Sequence, residues 1–446
     1  MRKRDFDIVL YGASGFTGRL VARHLARHGG GGLRVALAGR TAERLRAARD
    51  EASVDLAASA ASWDPPLIAC GADDVDALFA LASRTRVVIS TAGPFSLCGT
   101  PLVGACAAAG THYVDINGET PWVRGLIDRF DVTAAESGAI IVPNCGYTVP
   151  SDLAAHHAAQ LLAERHGRPA SRVHTLVQFN GRLSGGTMAT GILLDESDAD
   201  VQAARRDPFL LGGAPAGGGR PEDADPSEAE YDAVLGVWTA PFWMAEISSR
   251  VVRRSSSLFR EAAASPSYYA DEFHYREAAL AKDEGVARNL ATPTPPPELR
   301  QRLIDRGKLH APGGGPSAEV RACSWFRNFV VAEAADAVGA AAGGGGACAS
   351  MLTSVRGGDP GYDETSKMVA EAALLLARGR DALPLQPRAN GRVGGIVTPA
   401  FALGAPLREA LHARGIQFTV HSPHEGRTVG EELRRLAEEP GLPDTG

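Results

Sequence analysis

The stretch that decides the fold reads FDIVLYGASGFTG, from Phe6 to Gly18. Phe6 to Tyr11 is apolar enough to form a buried strand. From Gly15 to His28 apolar residues recur at helical spacing, so a helix follows the strand almost at once. A strand joined to a helix by a short glycine-rich turn is the first half of a βαβ unit, and it predicts a parallel sheet.

The turn between this strand and helix has the glycine spacing of a dinucleotide-binding fingerprint. Gly12 allows a tight turn, Gly15 lets the backbone approach a pyrophosphate, and Gly18 lets the helix pack closely on the strand. The free amides that open the helix would then face the anion. The residues expected to bind the cofactor here are Gly12, Ser14, Gly15, Phe16, Thr17 and Gly18. The alternative is a tight turn with no ligand.

The residue after the second strand predicts which dinucleotide binds. Leu33 to Ala38 has a strand pattern, and Arg40 follows it about 20 residues after the fingerprint. NAD-binding proteins usually have an acidic residue at this place, whereas arginine suits the 2′-phosphate of NADP. We therefore expect NADP as the cofactor. The alternative is an ordinary surface arginine, because only four of the 46 basic residues are lysines.

Short apolar runs and helical patterns alternate up to about residue 150, after which the pattern changes. Further strands are expected at 67–69, 87–91, 112–116 and 139–143. This alternation predicts an α/β fold in which residues 1–150 form a Rossmann domain with a doubly wound parallel sheet, followed by a second, α+β domain.

The turn after the fourth strand is a further candidate for cofactor binding. The carboxyl ends of parallel strands form the cofactor crevice. Thr91, Ala92 and Gly93 follow such a strand, and their small side chains would let the backbone lie against the nucleotide. The alternative is an ordinary turn.

Charge and composition argue against several classes of protein. With 46 basic and 52 acidic residues the formal net charge is −6, which does not suit a nucleic-acid binder. No run of 18 apolar residues occurs, so we expect no membrane-spanning helix. The six cysteines are scattered without a CxxC pair, and the 12 histidines form no convincing metal-binding pattern. We expect free thiols, no metal and a cytoplasmic location.

Several stretches together resemble the saccharopine dehydrogenase-like oxidoreductase family. They include GASGFTGRLVARHL at 12–25, STAGPFSLCGTPLVGACAAAGTHYVDINGE at 90–119, CGYTVPSDL at 145–153, SGGTMAT at 184–190 and GGDPGYDETSKMVAEAALLL at 357–376. The family includes saccharopine reductases of lysine metabolism, trans-acting enoyl reductases of mycobacterial lipid synthesis, and animal relatives associated with lipid droplets. The GTHYVDINGE and SGGT blocks are more similar to the last two groups.

The resemblance implies both an architecture and an activity. It implies a second domain at 151–398 for substrate or dimer contacts, and a C-terminal segment at 399–446 that returns to the first domain. It also implies hydride transfer from NADPH to a double bond, first of all enoyl reduction of an acyl or other small-molecule substrate in lipid or glycolipid metabolism. Homodimerisation and peripheral association with membranes or lipid droplets belong to the same expectation.

One departure from the family leaves two alternatives open. Relatives usually carry an aspartate in the turn at 145–152, where this chain has Thr148. The alternatives to enoyl reduction are imine reduction of a saccharopine-type amino acid, and a non-catalytic nucleotide-binding protein at a lipid surface.

Three residues are candidates for the chemistry. Asp115 follows the fifth strand, beside Asn117 and Glu119, and could relay a proton or orient the nicotinamide. Tyr147 follows the sixth strand and could donate a proton. Lys367 is a lysine in a chain that almost always uses arginine, and it could serve an acceptor oxygen. The alternatives are a capped turn, a packed domain junction and a solvated helix position, respectively.

A group of arginines in the second half is ambiguous. Arg250, Arg253 and Arg254 precede three serines and could hold a carboxylate or a phosphate. Because arginine is abundant throughout, the favoured expectation is a solvated or salt-bridged helix face.

Overall fold

The computed structural model describes residues 4–29, 32–54, 63–262, 268–292, 296–306, 309–311, 313–335, 349–379, 383–388, 391–422 and 427–439. Within these residues the strands form two sheets of seven strands each. The strands are β1 (Phe6–Tyr11), β2 (Val35–Gly39), β3 (Leu67–Ala69), β4 (Thr85–Ser90), β5 (His112–Asp115), β6 (Ile140–Val142), β7 (Ala170–Asn180), β8 (Glu230–Asp232), β9 (Val237–Ala240), β10 (Tyr269–Ala281), β11 (Trp325–Ala334), β12 (Ser350–Gly357), β13 (Gly395–Ile396) and β14 (Gln417–His421).

Helices connect most of these strands. They are α1 (Phe16–His28), α2 (Ala42–Val54), α3 (Val75–Ser83), α4 (Phe95–Cys98), α5 (Thr100–Ala109), α6 (Thr120–Ser137), α7 (Val149–His166), α8 (Gly185–Asp195), α9 (Ala199–Arg206), α10 (Ala245–Glu261), α11 (Glu284–Leu290), α12 (Pro297–Asp305), α13 (Ala318–Ala322), α14 (Asp363–Arg378), α15 (Pro399–Ala413) and α16 (Val429–Ala437). No helix in the described ranges is long and apolar enough to cross a bilayer.

The first sheet is parallel throughout and confirms the expected Rossmann architecture. Its strand order is β13-β6-β5-β4-β1-β2-β3. The order reverses between β1 and β4, and this switch point is where doubly wound sheets bind dinucleotides. The strands read as continuous apolar runs because both faces are covered. Ile8 and Leu10 face one core, and Val9 and Tyr11 face the other.

Different helices cover the two faces of the first sheet. Helices α3, α5 and α6 pack side by side and contribute to the core that contains Val9. On the opposite face α1 packs against α14, which also contacts β4 and β5. Helix α14 lies in the chain between β12 and β14 of the second sheet, so the second domain supplies part of the cover of the first.

The second sheet is mixed and completes the predicted α+β half. Its order is β14-β12-β11-β7-β10-β9-β8, and β7 and β10 form its parallel pair, while the other neighbours are antiparallel. Helix α7 packs on β11 and β12, and it also contacts α15 and α10. One continuous apolar core therefore runs from the first sheet through α7, α14 and α15 to the second sheet.

The chain returns to the first domain with α14 at 363–378, with β13, which pairs with β6, and with α15, which contacts β6. Within the segment expected at 399–446, β14 in addition extends the second sheet beside β12. The return occurs because β6 would otherwise be an open edge and the apolar face of β4 and β5 would lack a helix.

A carboxylate on α6 holds the returning strand in place. Asp131 binds Arg388 through two hydrogen bonds of 2.7 and 3.0 Å and accepts a third from the backbone amide of Ile396 at 2.7 Å. Gly395 lies between these groups with φ +91°, and a Cβ atom there would lie 2.6 Å from the Asp131 carboxylate. Burial tends to raise the pKa of Asp131, but the hydrogen bonds to Arg388 outweigh it and hold the pKa below its ordinary value of 3.8.

We expect Asp131→Asn to destabilise the fold by about 2–3 kcal/mol, since hydrogen bonds between charged partners are lost. A carboxyl with a lowered folded-state pKa contributes stability above its ordinary pKa and loses it as the pH falls through the folded-state value. The gap in unfolding free energy between wild type and variant should therefore close below about pH 4. Urea unfolding at pH 7 and at pH 3 measures this gap, and an equal gap at both pH values would contradict the assignment.

Candidate active site

A cleft of about 990 Å³ opens at the carboxyl ends of the first-sheet strands and extends to the second domain. The first domain supplies the fingerprint turn and the turns that follow β2, β4, β5 and β6. The second domain supplies the end of β7, the starts of α8 and α10, and the loop before α14. The cleft is therefore where a cofactor on the Rossmann sheet would meet a substrate.

The glycines of the fingerprint are required by the geometry of the turn. Gly12 has φ +85°, and a Cβ there would lie 2.8 Å from the backbone nitrogen of Ala92. A Cβ at Gly18 would lie 2.2 Å from the carbonyl oxygen of Gly12. These contacts allow the two roles expected of the outer glycines, a tight turn and close packing of helix and strand.

The start of α1 is open to an anion. Gly15 caps the helix without a side-chain hydrogen bond, and its first turn contains no acidic residue. The first amides of a helix have no partner within the helix, and the helix dipole favours negative charge there. Ser14, Phe16 and Thr17 line the cleft beside Gly15. The turn thus fits a pyrophosphate.

The turn after β4 lies directly against the fingerprint, as expected. The Thr91 hydroxyl donates to the carbonyl of Gly12 at 3.1 Å, and the Thr91 amide donates to Tyr11 at 2.9 Å. Thr91, Ala92 and Gly93 all line the cleft. The two turns together form one cofactor-binding floor.

Two arginines stand at the end of β2. Arg40 and Arg44 are both exposed and line the cleft, and Arg40, Thr41 and Arg44 also line a shallower hollow next to it. Neither arginine forms a salt bridge with the residues that the structure describes. Burial raises the pKa of Cys98, and the nearby charge of Arg40 offsets part of this rise. Arg40 was expected from the sequence, whereas Arg44, one helical turn further on, was not.

Asp115 lies below the cleft and is not part of its lining. It is fully buried, and its Oδ1 atom accepts hydrogen bonds from the backbone amides of Asn117 and Asn144, both at 3.0 Å. Burial raises its pKa to about 6. Asn117 does line the cleft, while Glu119 accepts from the amides of Phe95 and Ser96 and so caps α4. In this arrangement Asp115 and Glu119 hold the turns that shape the floor.

Tyr147 lines the cleft at the junction of the two domains. Its hydroxyl donates to Oδ1 of Asn328 on β11 at 3.4 Å, and its ring packs edge-on against Phe326 at 5.1 Å. Burial holds its pKa well above the usual range, and the charge of Glu277 adds to this effect. The phenol is therefore protonated at neutral pH. Thr148 also lines the cleft, and its hydroxyl donates to the carbonyl of Asn144.

Lys367 lies outside the cleft. Its ammonium group forms an ion pair with Glu364 at 2.8 Å, one turn earlier on α14, and donates to the carbonyl of Arg414 at 3.1 Å. The lysine thus fastens α14 to the end of α15. The structure does not bring it together with Tyr147.

The arginine group on α10 is neither solvated nor directed at a ligand. Arg250 and Arg253 are 0% and 1% exposed. Arg250 pairs with Asp225 at 2.6 Å, and Arg253 donates to the carbonyls of Pro208 and Tyr275 at 2.9 and 2.7 Å. Of the expected solvated or salt-bridged face, the salt bridge is present in the Arg250–Asp225 pair, but the face is not solvated, because the 205–225 segment wraps over α10 and buries it. The guanidinium groups satisfy backbone carbonyls of that segment.

The second domain gives the cleft an apolar wall, of which the sequence suggested only Trp243 and Met244, as apolar residues that could contact lipid or a partner. This wall consists of Phe179, Leu183, Leu194, Trp243, Met244 and Ile247. At its mouth Leu183 and Trp243 are 38% and 45% exposed, and Leu97 across the opening is 69% exposed. Arg182 is an exposed cation on the same side. Among the described residues no cluster of histidine, cysteine and acidic side chains is arranged to hold a metal.

A contact across the cleft joins the fingerprint to the second domain. The Phe16 ring packs edge-on against Tyr362 at 5.1 Å. The Tyr362 hydroxyl in turn bonds to the backbone amide of Ser184 and to the hydroxyl of Thr187 at 3.1 Å, at the start of α8. The SGGT turn is therefore tied to the cofactor loop, which the sequence could not show.

Comparison with known proteins places these observations in a family. Residues 8–142 match the model of the saccharopine dehydrogenase NADP-binding domain. A protein of Mycobacterium tuberculosis named as a trans-acting enoyl reductase is 36% identical over 441 residues, which cover 93% of this chain and 97% of that protein. A trans-acting enoyl reductase of Mycobacterium bovis is 33% identical over 440 residues, with the same coverage of 93% and 97%.

A solved structure has the same fold. The apo form of the glutamate-forming saccharopine dehydrogenase of Saccharomyces cerevisiae aligns with a TM-score of 0.51 at 13% identity, covering 93% of this chain and 99% of that one. The fingerprint, the open helix start and the arginines after β2 fit the cofactor named by the family model. The chain is a member of the saccharopine dehydrogenase-like family, an NAD(P)-dependent oxidoreductase whose first domain binds NADP.

Proposed function

We propose that this oxidoreductase reduces the carbon–carbon double bond of an α,β-unsaturated acyl substrate, as the names of its relatives suggest. The observation that carries the proposal is the cleft itself, where a cofactor floor faces an apolar wall with a protonated tyrosine at their junction. The apolar side chains of the wall suit a hydrocarbon chain, which loses contact with water on binding.

Different residues of the cleft have different roles in the proposed reaction. The α1 amides would hold the cofactor pyrophosphate, and Arg40 and Arg44 would bind the 2′-phosphate. When bound, NADPH supplies the hydride. The apolar wall holds the acyl chain and excludes water from the reacting carbons. Tyr147, kept protonated by burial, gives the proton that the α-carbon needs once the hydride has added to the β-carbon.

The two alternatives are less well supported by the site. Imine reduction of a saccharopine-type amino acid needs cations for several carboxylates, but Arg250 and Arg253 are buried against backbone carbonyls. Arg182 is an exposed cation beside the apolar wall, whereas Arg205 is paired with Glu246 at 2.9 Å. In a non-catalytic nucleotide-binding protein, the protonated Tyr147 that lines the cleft would have no catalytic role.

The exposed apolar side chains at the mouth support contact with a lipid surface. Leu97, Leu183 and Trp243 lie on both sides of the opening through which an acyl chain would enter. Association with membranes or lipid droplets remains part of the proposal. Sedimentation with phosphatidylglycerol vesicles measures it, and we expect Trp243→Ser to reduce the bound fraction.

We expect Arg40→Ala to weaken NADPH binding by roughly 10- to 100-fold, since a hydrogen bond to a charged group contributes about 1.5–3 kcal/mol. NADH binding should not change, because NADH lacks the 2′-phosphate. Fluorescence titration with both cofactors measures the two affinities. The matched control is Arg46→Ala, an exposed arginine on α2, the helix that follows Arg40, which does not line the cleft. An equal loss for both cofactors would contradict the assignment.

We expect Tyr147→Phe to lower kcat for NADPH oxidation with an α,β-unsaturated acyl thioester by ~10²–10⁴-fold, the usual contribution of a proton donor. NADPH affinity should stay the same, since the ring is retained. Tyr231→Phe, an exposed tyrosine on β8, is the control. Tight NADPH binding without oxidation over a panel of acyl thioesters and amino-acid imines would instead favour the non-catalytic alternative.

A further inference from the structure

A buried carboxyl group lies behind Tyr147, in a part of the molecule that the proposed reaction does not yet use. Glu277 stands on β10, is 1% exposed and pairs in register with Thr175 on β7. Its Oε2 atom accepts a hydrogen bond of 2.6 Å from the hydroxyl of Tyr275. Burial of a carboxyl group that makes no ion pair within the described residues costs folding free energy. Such a group is therefore a candidate for a functional role.

Hydroxyl groups connect Glu277 with the cleft. Asn328 holds Tyr147 and Ser151 with the two ends of its amide: its Oδ1 accepts from Tyr147 at 3.4 Å, and its Nδ2 donates to the Ser151 hydroxyl at 3.3 Å. The Asn328 amide therefore stands between the two hydroxyls and links them in one hydrogen-bonded chain. The hydroxyls of Ser151 and Ser248 also lie near the carboxyl of Glu277 and lower its pKa, although neither makes a hydrogen bond of ordinary geometry with it.

Several polar atoms in this cluster lack a hydrogen-bond partner among the described residues. They are Oε1 of Glu277 and the hydroxyls of Thr175 and Ser248, all fully buried. Buried polar atoms in proteins are nearly always hydrogen-bonded, and ordered water supplies the missing bonds where protein does not. We expect bound water between these groups, and such water conducts protons.

The charged and titratable groups around Glu277 come from several elements. Burial raises its pKa to about 7, and Asp225, in the loop after α9, adds to this rise. Arg250, on α10, is neutralised by Asp225 at 2.6 Å. Arg253, also on α10, donates to the carbonyl of Tyr275 at 2.7 Å, and its guanidinium lies 3.6 Å from Asp223. The carboxyl of Glu277 therefore exchanges its proton near neutral pH.

We propose that Glu277 is a positioning residue that returns a proton to Tyr147 through the Ser151 hydroxyl and bound water. This inference rests on the proposed role of Tyr147. When the Tyr147 O–H bond breaks and the α-carbon–hydrogen bond forms, the phenolate takes a proton from bound water, the water takes one from the Ser151 hydroxyl, and Ser151 takes one from the Glu277 carboxyl. The Glu277 carboxylate then regains a proton from solvent. Each turnover uses one solvent proton and the hydride that NADPH supplies.

The test compares kcat as a function of pH for wild type and Glu277→Gln, with full-length protein, NADPH and an α,β-unsaturated acyl thioester. Wild-type kcat should fall as the pH rises through about 7, because Glu277 must be protonated to give a proton. Glu277→Gln should lose this pH dependence and lower kcat by roughly 10- to 100-fold, less than a direct donor would. Glu277→Gln should have no further effect in a Tyr147→Phe background.

Two further variants separate the relay from a structural role. Ser151→Ala keeps the helix and removes the hydroxyl. It should therefore lower kcat as Glu277→Gln does, while KM stays within about twofold of the wild-type value. Asp152→Asn is the matched control: burial also raises the pKa of Asp152 to about 7, but its partners are Ser255 and the Ala400 amide. The Asp152→Asn substitution should change the thermal stability of the protein and leave the pH profile of kcat unchanged. A wild-type pH profile in Glu277→Gln would overturn the proposal.

A readout without turnover distinguishes failure of this inference from failure of the proposed function. Infrared titration of the NADPH complex, in an Asp152→Asn background because Asp152 also titrates near pH 7, should show a protonated carboxyl band with a midpoint near pH 7 that Glu277→Gln removes. The midpoint should move in Tyr147→Phe and stay in place in Tyr231→Phe. If the midpoint behaves in this way but no acyl substrate is reduced, the coupling stands and the proposed reaction fails. If Tyr147→Phe leaves the midpoint in place, the relay fails.

Discussion

The requirement to bury both faces of the first sheet determines the rest of the structure. Its strands are apolar on both sides, so neither face can be left in water. Helices between the strands cover one face, whereas on the other α1 needs α14 as a neighbour. Because α14 lies between β12 and β14 of the second sheet, the chain has to cross back over the first domain. The loop before α14 and the end of β7 are thereby brought to the carboxyl ends of the strands, and the cleft results.

The cofactor half of the site was predictable because its determinants are local in the sequence. Gly12 and Gly18 are required by contacts within a single turn, at 2.8 and 2.2 Å from neighbouring backbone atoms. Arg40 and Thr91 follow strands that are recognisable as apolar runs. A parallel sheet then brings the ends of those strands to one edge without further information. Only Arg44 was missed, although its position one turn after Arg40 on an amphipathic helix was a usable signal.

The substrate half was not predictable in the same way because tertiary packing assembles it. Phe179, Ile247 and Tyr362 lie far apart in the chain, and nothing in their local sequence distinguishes a cleft wall from a core. Composition also misled in two places. The rarity of lysine drew attention to Lys367, which serves an ion pair within α14. The abundance of arginine suggested a solvated or salt-bridged face on α10, but the face is buried: Arg250 pairs with Asp225, and Arg253 donates to the carbonyl of Pro208 in the covering segment.

The ring contact between Phe16 and Tyr362 has a consequence for the kinetic scheme. Phe16 belongs to the turn that a diphosphate has to contact, and Tyr362 anchors the amide of Ser184 and the hydroxyl of Thr187, where the opposite wall begins. Occupation of the turn therefore stiffens the place where the second reactant will sit. Such an arrangement favours compulsory-order kinetics, in which the coenzyme enters first and leaves last.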